Sequence, residues 1–148
     1  MTTSDICSLR TGLRIVTRRG VHPDVQRAVL KFARWLRSHY EFPIRVPVYL
    51  SSSEQVRTSS GELRPSLFFA PYEKTDEPYI SIATGDYEAL VCKCGNVDDA
   101  LCSILYSVAL HVLNYQEWWF EHGWSERSIS QRRNNLIAEY ASEVRYIV

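Results

Sequence analysis

The chain has 148 residues, 45% of them hydrophobic and 12% aromatic, enough to enclose one core and too few for two, so a single domain over residues 1–148 is expected. Its 17 lysines and arginines balance its 17 aspartates and glutamates, and a net charge of zero leaves no whole-molecule field to draw in nucleic acid or an anionic membrane; neither is expected as a partner. The opening MTTSDICSLRTGLRIVTRRG holds no apolar run of signal-peptide length, and no stretch approaches the roughly 20 apolar residues that span a bilayer, so the expected location is cytoplasmic.

Residues 1–11 are expected to form a flexible N-terminus. GLRIVTR, at 12–18, alternates enough for a short strand. In the following VHPDVQRAVLKFARWLRSHY, Pro23 and Asp24 mark a first helical turn, and Val25, Val29, Phe32 and Leu36 recur at spacings of four, three and four. That spacing predicts an amphipathic helix whose outward residues Gln26, Arg27, Lys31, Arg34 and Arg37 form a solvated, mostly basic face. Pro43 ends it. IRVPVYL, at 44–50, has the β-branched and aromatic content of a strand, and Pro47 predicts an edge position for it. Residues 51–65 read as a loop. SLFFAPY and PYISIATG, at 66–72 and 78–85, read as two strands joined in a hairpin by the polar connector EKTDE.

The four cysteines, Cys7, Cys92, Cys94 and Cys102, are expected as free thiols in a chain without a secretion signal. Cys92-Lys-Cys94 is half of a zinc knuckle, but no second pair accompanies it. It reads as a loop with two ordinary thiols.

From 98 to 120 there is neither proline nor glycine, and Asp98 or Asp99 can sit in a first turn, where a carboxylate favours the helix dipole. Between Ala100 and Leu113 almost every residue is apolar, which predicts a helix buried nearly all round. One polar stripe interrupts it: Ser103, Ser107, His111 and Asn114 follow at four, four and three residues along one face. After the turn His122-Gly123-Trp124, a last helix is expected from about Ser128, where Ser128 and Gln131 fit a capping box. Ile129, Leu136, Ile137, Tyr140, Val144 and Ile147 give it an apolar face. The pattern predicts an α+β fold: an N-terminal helix, a small twisted sheet of three or four strands, a buried central helix and a C-terminal helix.

The runs FPIRVPVYL, PYISIATGDY and DALCSILYSVALHVLNYQEWW, with the final helix after them, resemble small bacterial and phage zincin-like proteins. These are minimal metallopeptidase-type domains whose central helix carries HExxHY followed by Gln-Trp; the similarity runs in order over residues 13–148. In that motif two histidines four residues apart reach one zinc ion, and the glutamate deprotonates the metal-bound water. Matching Tyr115 and Trp118 to the family's tyrosine and tryptophan puts Leu110 at the first histidine, His111 at the glutamate, Asn114 at the second histidine and Glu117 at the glutamine. The family's third ligand, from the next helix, falls on Asn134, or in another register on Glu139.

Leucine offers zinc no donor atom, and a neutral amide is a poor substitute for imidazole. The resemblance therefore implies no zinc, no cofactor and no catalytic residue, and a pseudoenzyme that binds a protein or peptide in the remnant cleft around Leu110, His111, Asn114, Tyr115, Glu117, Asn134 and Glu139. The alternative is a hydrolase that uses His111 with Glu117 or Glu139, or a metal held by His111, Asn114 and Glu139. No serine or cysteine nucleophile is placed beside His111 by sequence, so its imidazole is expected to hydrogen-bond Ser107, Asn114 or a backbone carbonyl. Trp118, Trp119, Phe120 and Trp124 are expected as core or rim aromatics, a set that could also anchor a partner.

Overall fold

The computed structural model describes residues 12–147, so the flexible-terminus expectation for residues 1–11, with Cys7, lies outside the described residues. The chain opens with a strand–helix–strand unit. β1 (Gly12–Thr17) and β2 (Arg45–Ser51) run parallel, with Leu13 opposite Val46 and Ile15 opposite Val48, and α1 (Pro23–His39) makes the crossover that a parallel pair requires. Pro23 occupies the first turn, where its missing N–H has no partner to lose. His22 caps the helix by accepting the Asp24 N–H through Nδ1 at 3.1 Å. Val25, Val29, Phe32 and Leu36 are buried at the expected spacing.

Two further strands complete the sheet. β3 (Val56–Arg57) and β4 (Leu63–Arg64) form a small hairpin inside the stretch expected as loop; Val56 is buried and closes it. Each strand is only two residues long, too short for alternation to register in sequence. β5 (Ser66–Phe69) and β6 (Tyr79–Ala83) form the expected antiparallel hairpin. The order is β1-β2-β6-β5, with β6 parallel to β2 and β5 antiparallel at the margin. Pro47 thus stands in an interior strand, against the edge position predicted for it. The sheet tolerates the missing N–H because Pro47 precedes the first β2–β6 pair, Val48 opposite Ile80, so the strand has only one neighbour there. Val46, Val48 and Leu50 alternate inward, as do Ile80 and Ile82, and all belong to one core.

Three helices follow. α2 (Tyr87–Cys94) carries Cys92 and Cys94 in its last turn, which corrects the loop expected there. It buries only Tyr87, so it leaves almost no apolar period to read. Its ends are well specified: the Asp86 carboxylate accepts the Ala89 N–H at 3.1 Å, and Gly95, at φ 89°, takes the left-handed cap conformation that L side chains resist. α3 (Val97–Phe120) starts at Asn96, whose side chain accepts the Asp99 N–H at 2.8 Å. α4 (Glu126–Ile147) is capped by Ser125, whose hydroxyl accepts the Ser128 N–H at 3.1 Å. The Ser128–Gln131 box is therefore not the cap; Ser128 already lies in the helix, and its hydroxyl accepts from Arg132 Nε at 3.2 Å.

α1 and α3 lie together with the sheet, and α4 packs on α3. The fold is α+β, with four helices, a four-stranded mixed sheet and a two-stranded hairpin among the described residues. Ala100, Ile104, Leu105, Val108, Ala109, Val112 and Leu113 place α3 in the core. By length and composition α3 also meets the requirement for a membrane-crossing helix, which corrects the expectation that no stretch approaches it. Here its apolar residues face the sheet and the neighbouring helices instead. Cys92, Cys94 and Cys102 are free thiols.

Candidate functional site

The polar stripe of α3 faces two hollows beside the sheet margin. Ser103 and Ser107 line one of about 530 Å³, with Thr84, Asp86 and Lys93. His111 and Asn114 line the other, a cleft of about 540 Å³ between α3 and β5. Thr58, Glu62 and Arg64 of the small hairpin border this cleft, and Phe68 and Trp118 add aromatic surface, their rings 6.0 Å apart. Ser66 and Phe68 are two residues apart on β5, so strand pleating turns both toward α3.

His111 is 8% exposed. Its Nε2 lies 2.8 Å from Ser66 Oγ, and its Nδ1 lies 3.5 Å from Asn114 Nδ2. Asn114 was among the expected partners; Ser107 and a backbone carbonyl were not chosen, because the β5 hydroxyl sits directly across the cleft. An amide nitrogen can only donate, so with Asn114 in this orientation Nδ1 accepts and the neutral ring carries its proton on Nε2, which donates to Ser66. Burial penalises the charged ring and lowers its pKa from 6.5 to about 4. The imidazole is neutral at pH 7.

Ser66 is the functional neighbour that reading along the chain missed. It lies 45 residues before His111, and its only local signal is the alternation that pairs it with Phe68. The remaining candidates divide. Glu117 borders the cleft, but its carboxylate accepts the N–H groups of Gly123 and Trp124 at 3.1 and 3.2 Å and so holds the α3–α4 turn. Leu110 packs against the core. Tyr115 is fully buried, its ring 5.7 Å from Phe42; its hydroxyl lies near the Ile44 backbone but outside full hydrogen-bonding geometry, and burial pushes its pKa up to about 12 against the weaker opposing pull of that backbone group.

Asn134 and Glu139 do not join the cleft in either register. Ile129, Leu136, Ile137 and Tyr140 are the buried face of α4, and both residues lie outside it and are exposed. Asn134 accepts from Arg133 at 3.3 Å, and Glu139 stands near His39 and Glu143. Around His111 the cleft therefore offers one imidazole, the Asn114 amide and the Ser66 hydroxyl; of its two carboxylates, Glu117 is committed to backbone and Glu62 is paired with Arg64. That donor set does not fit the zinc ion held by the HExxH motif of the zincin-like proteins, which needs two imidazoles on one helix and a third donor from the next. Of the expected aromatics, Trp118, Trp119 and Trp124 pack against the core, and Phe120 is exposed. Lys74 donates to the Trp119 carbonyl at 2.9 Å and holds this end of α3 to the β5–β6 connector. No protein-family model matches the chain, and no curated protein matches it in sequence.

Proposed function

We propose that the chain is a non-catalytic zincin-like domain that binds an extended segment of a protein or peptide in the cleft between β5 and α3. The observation that carries this reading is the position of β5: it is the marginal, antiparallel strand, and among the described residues no strand pairs with its outer edge. An open edge presents backbone donors and acceptors at alternate residues, and an added strand satisfies them without any particular sequence. The cleft alongside supplies side-chain contacts through Phe68, Trp118 and Asn114. Panning a random dodecapeptide library on the immobilised chain is expected to enrich apolar, extended peptides. When they bind, amide exchange should slow at alternate residues of β5. Enriched peptides that leave β5 exchange unchanged would sink the reading.

The second reading is a serine hydrolase, and the 2.8 Å Ser66–His111 contact is what favours it. Two features weigh against it. The base has a pKa near 4, far below the value suited to accept a proton at neutral pH, and no carboxylate orients its Nδ1. A fluorophosphonate probe, which labels activated serines, is expected to leave wild type unmodified. Labelling that disappears in Ser66→Ala would establish the hydrolase instead.

A further inference from the structure

Apart from the residues that line the cleft, a second group of chemically active side chains converges from two helices. His39 is the last residue of α1, and Glu139 and Glu143 lie four residues apart on α4, hence on one face. One donor atom from each lies within 4.8 Å of the other two. His39 Nε2 is 3.4 Å from Glu143 Oε1.

The hydrogen bonds around His39 settle which nitrogen carries its proton. The Ser38 hydroxyl donates its one hydrogen to the Trp35 carbonyl at 2.7 Å. Nδ1 of His39 then lies 2.9 Å from two atoms that can only accept from it, that hydroxyl oxygen and the same carbonyl. Nδ1 is therefore the donor, and in the neutral ring Nε2 presents a bare lone pair to a carboxylate. Two groups of lone pairs face each other across 3.4 Å, and two like charges stand at i, i+4. A cation between them relieves this, whether a proton on Nε2 that turns the contact into an ion pair or a metal ion that takes both lone pairs.

The surroundings orient the donors as second partners do in metal centres. A backbone carbonyl fixes the imidazole tautomer, and the Trp35 ring stacks on His39 at 4.0 Å. Trp35 Nε1 donates to Glu143 Oε2, which leaves Oε1 turned toward His39. We propose that His39, Glu139 and Glu143 bind a divalent transition-metal ion of the zinc class and so tie the C-terminal end of α1 to α4. One imidazole and two carboxylates suit such an ion, and donors around it stand about 3 to 4.4 Å apart, which a small rotation of the exposed Glu139 side chain achieves. The site is separate from the peptide cleft and does not depend on that reading.

The test titrates tag-free, metal-stripped full-length chain with zinc chloride at about pH 7.5, where carboxylates and imidazole are free to ligate. Calorimetry should show one equivalent bound with a Kd on the order of micromolar. His39→Gln and Glu139→Gln should each weaken it by roughly tenfold or more, and Cys92→Ser with Cys94→Ser should leave it unchanged. At zinc a hundredfold above Kd, Tm should rise by about 5 to 10 °C in wild type and not in Glu139→Gln. Glu139 is exposed, so that variant keeps the packing, and circular dichroism checks that it does. Zinc held equally by both variants, zinc lost with the cysteines, or no binding at about 1 mM overturns the proposal; the last assigns the cluster to an ion pair of a protonated His39.

Discussion

Val108→Asp is expected to abolish cooperative unfolding of the chain. Val108 is fully buried on α3, in the cluster that also holds Val48, Leu50, Ile80, Ile82, Phe32 and Leu36. A carboxylate placed there loses its water and finds only apolar neighbours, so it either binds a proton at a steep cost or forces the helix outward. The penalty exceeds about 4 kcal/mol, a large part of the roughly 5 to 15 kcal/mol that holds a domain of this kind together. Leu105→Ala is milder, because Leu105 sits nearer the rim at 9% exposed; the lost methyl groups and the cavity should cost about 2 to 4 kcal/mol. Urea denaturation followed by tryptophan fluorescence reads both. A midpoint within error of wild type for Val108→Asp would mean that α3 is not the core element.

Acidification should cost the protein stability through His111, in a window set by its burial. The ring titrates near 6.5 when unfolded and near 4 in the fold, so between those values the unfolded chain binds a proton that the native chain refuses. Above pH 6.5 both states are neutral and His111 makes stability independent of pH. As pH falls from 6.5 to 4 its contribution declines steadily, and below 4 it is constant again. The gap corresponds to roughly 3 kcal/mol. His111→Gln keeps a polar group for Ser66 but cannot titrate, so the difference between wild-type and variant urea midpoints should shift by that amount across the window. Parallel pH profiles for the two proteins would show that His111 is not buried as a neutral ring, and the Ser66–His111 contact would need another explanation.

Which parts of this were legible along the chain follows from how far each interaction reaches. The α1 stripe of Val25, Val29, Phe32 and Leu36, the long apolar α3, and the strand-forming content of β2 and β6 all lie within one element, and each was found where expected. So was the stripe from Ser103 to Asn114, because helical spacing alone puts those residues on one face. Short elements escaped. α2 buries one residue and the β3–β4 hairpin pairs two against two, so neither generates a period long enough to stand out from loop composition. Pro47 was misplaced for a related reason: its missing N–H excludes it from a ladder, but only the three-dimensional register shows that the β2–β6 ladder begins one residue later.

The site divides along the same line. Residue types alone determined that α3 carries no pair of histidines four residues apart, since beside His111 stand Leu110, which has no donor, and Asn114, which has only a neutral amide. Sequence could not determine what His111 does instead, because its partner comes from a strand 45 residues away. Nor could it place Glu139, because the register of the resemblance left the third-ligand position open between Asn134 and Glu139. The burial of Ile129, Leu136, Ile137 and Tyr140 turned that helix so that Glu139 meets His39 of α1 rather than the cleft. Periodicity determines which face of an element is buried; only packing between elements decides which polar side chains are left to meet across the gaps.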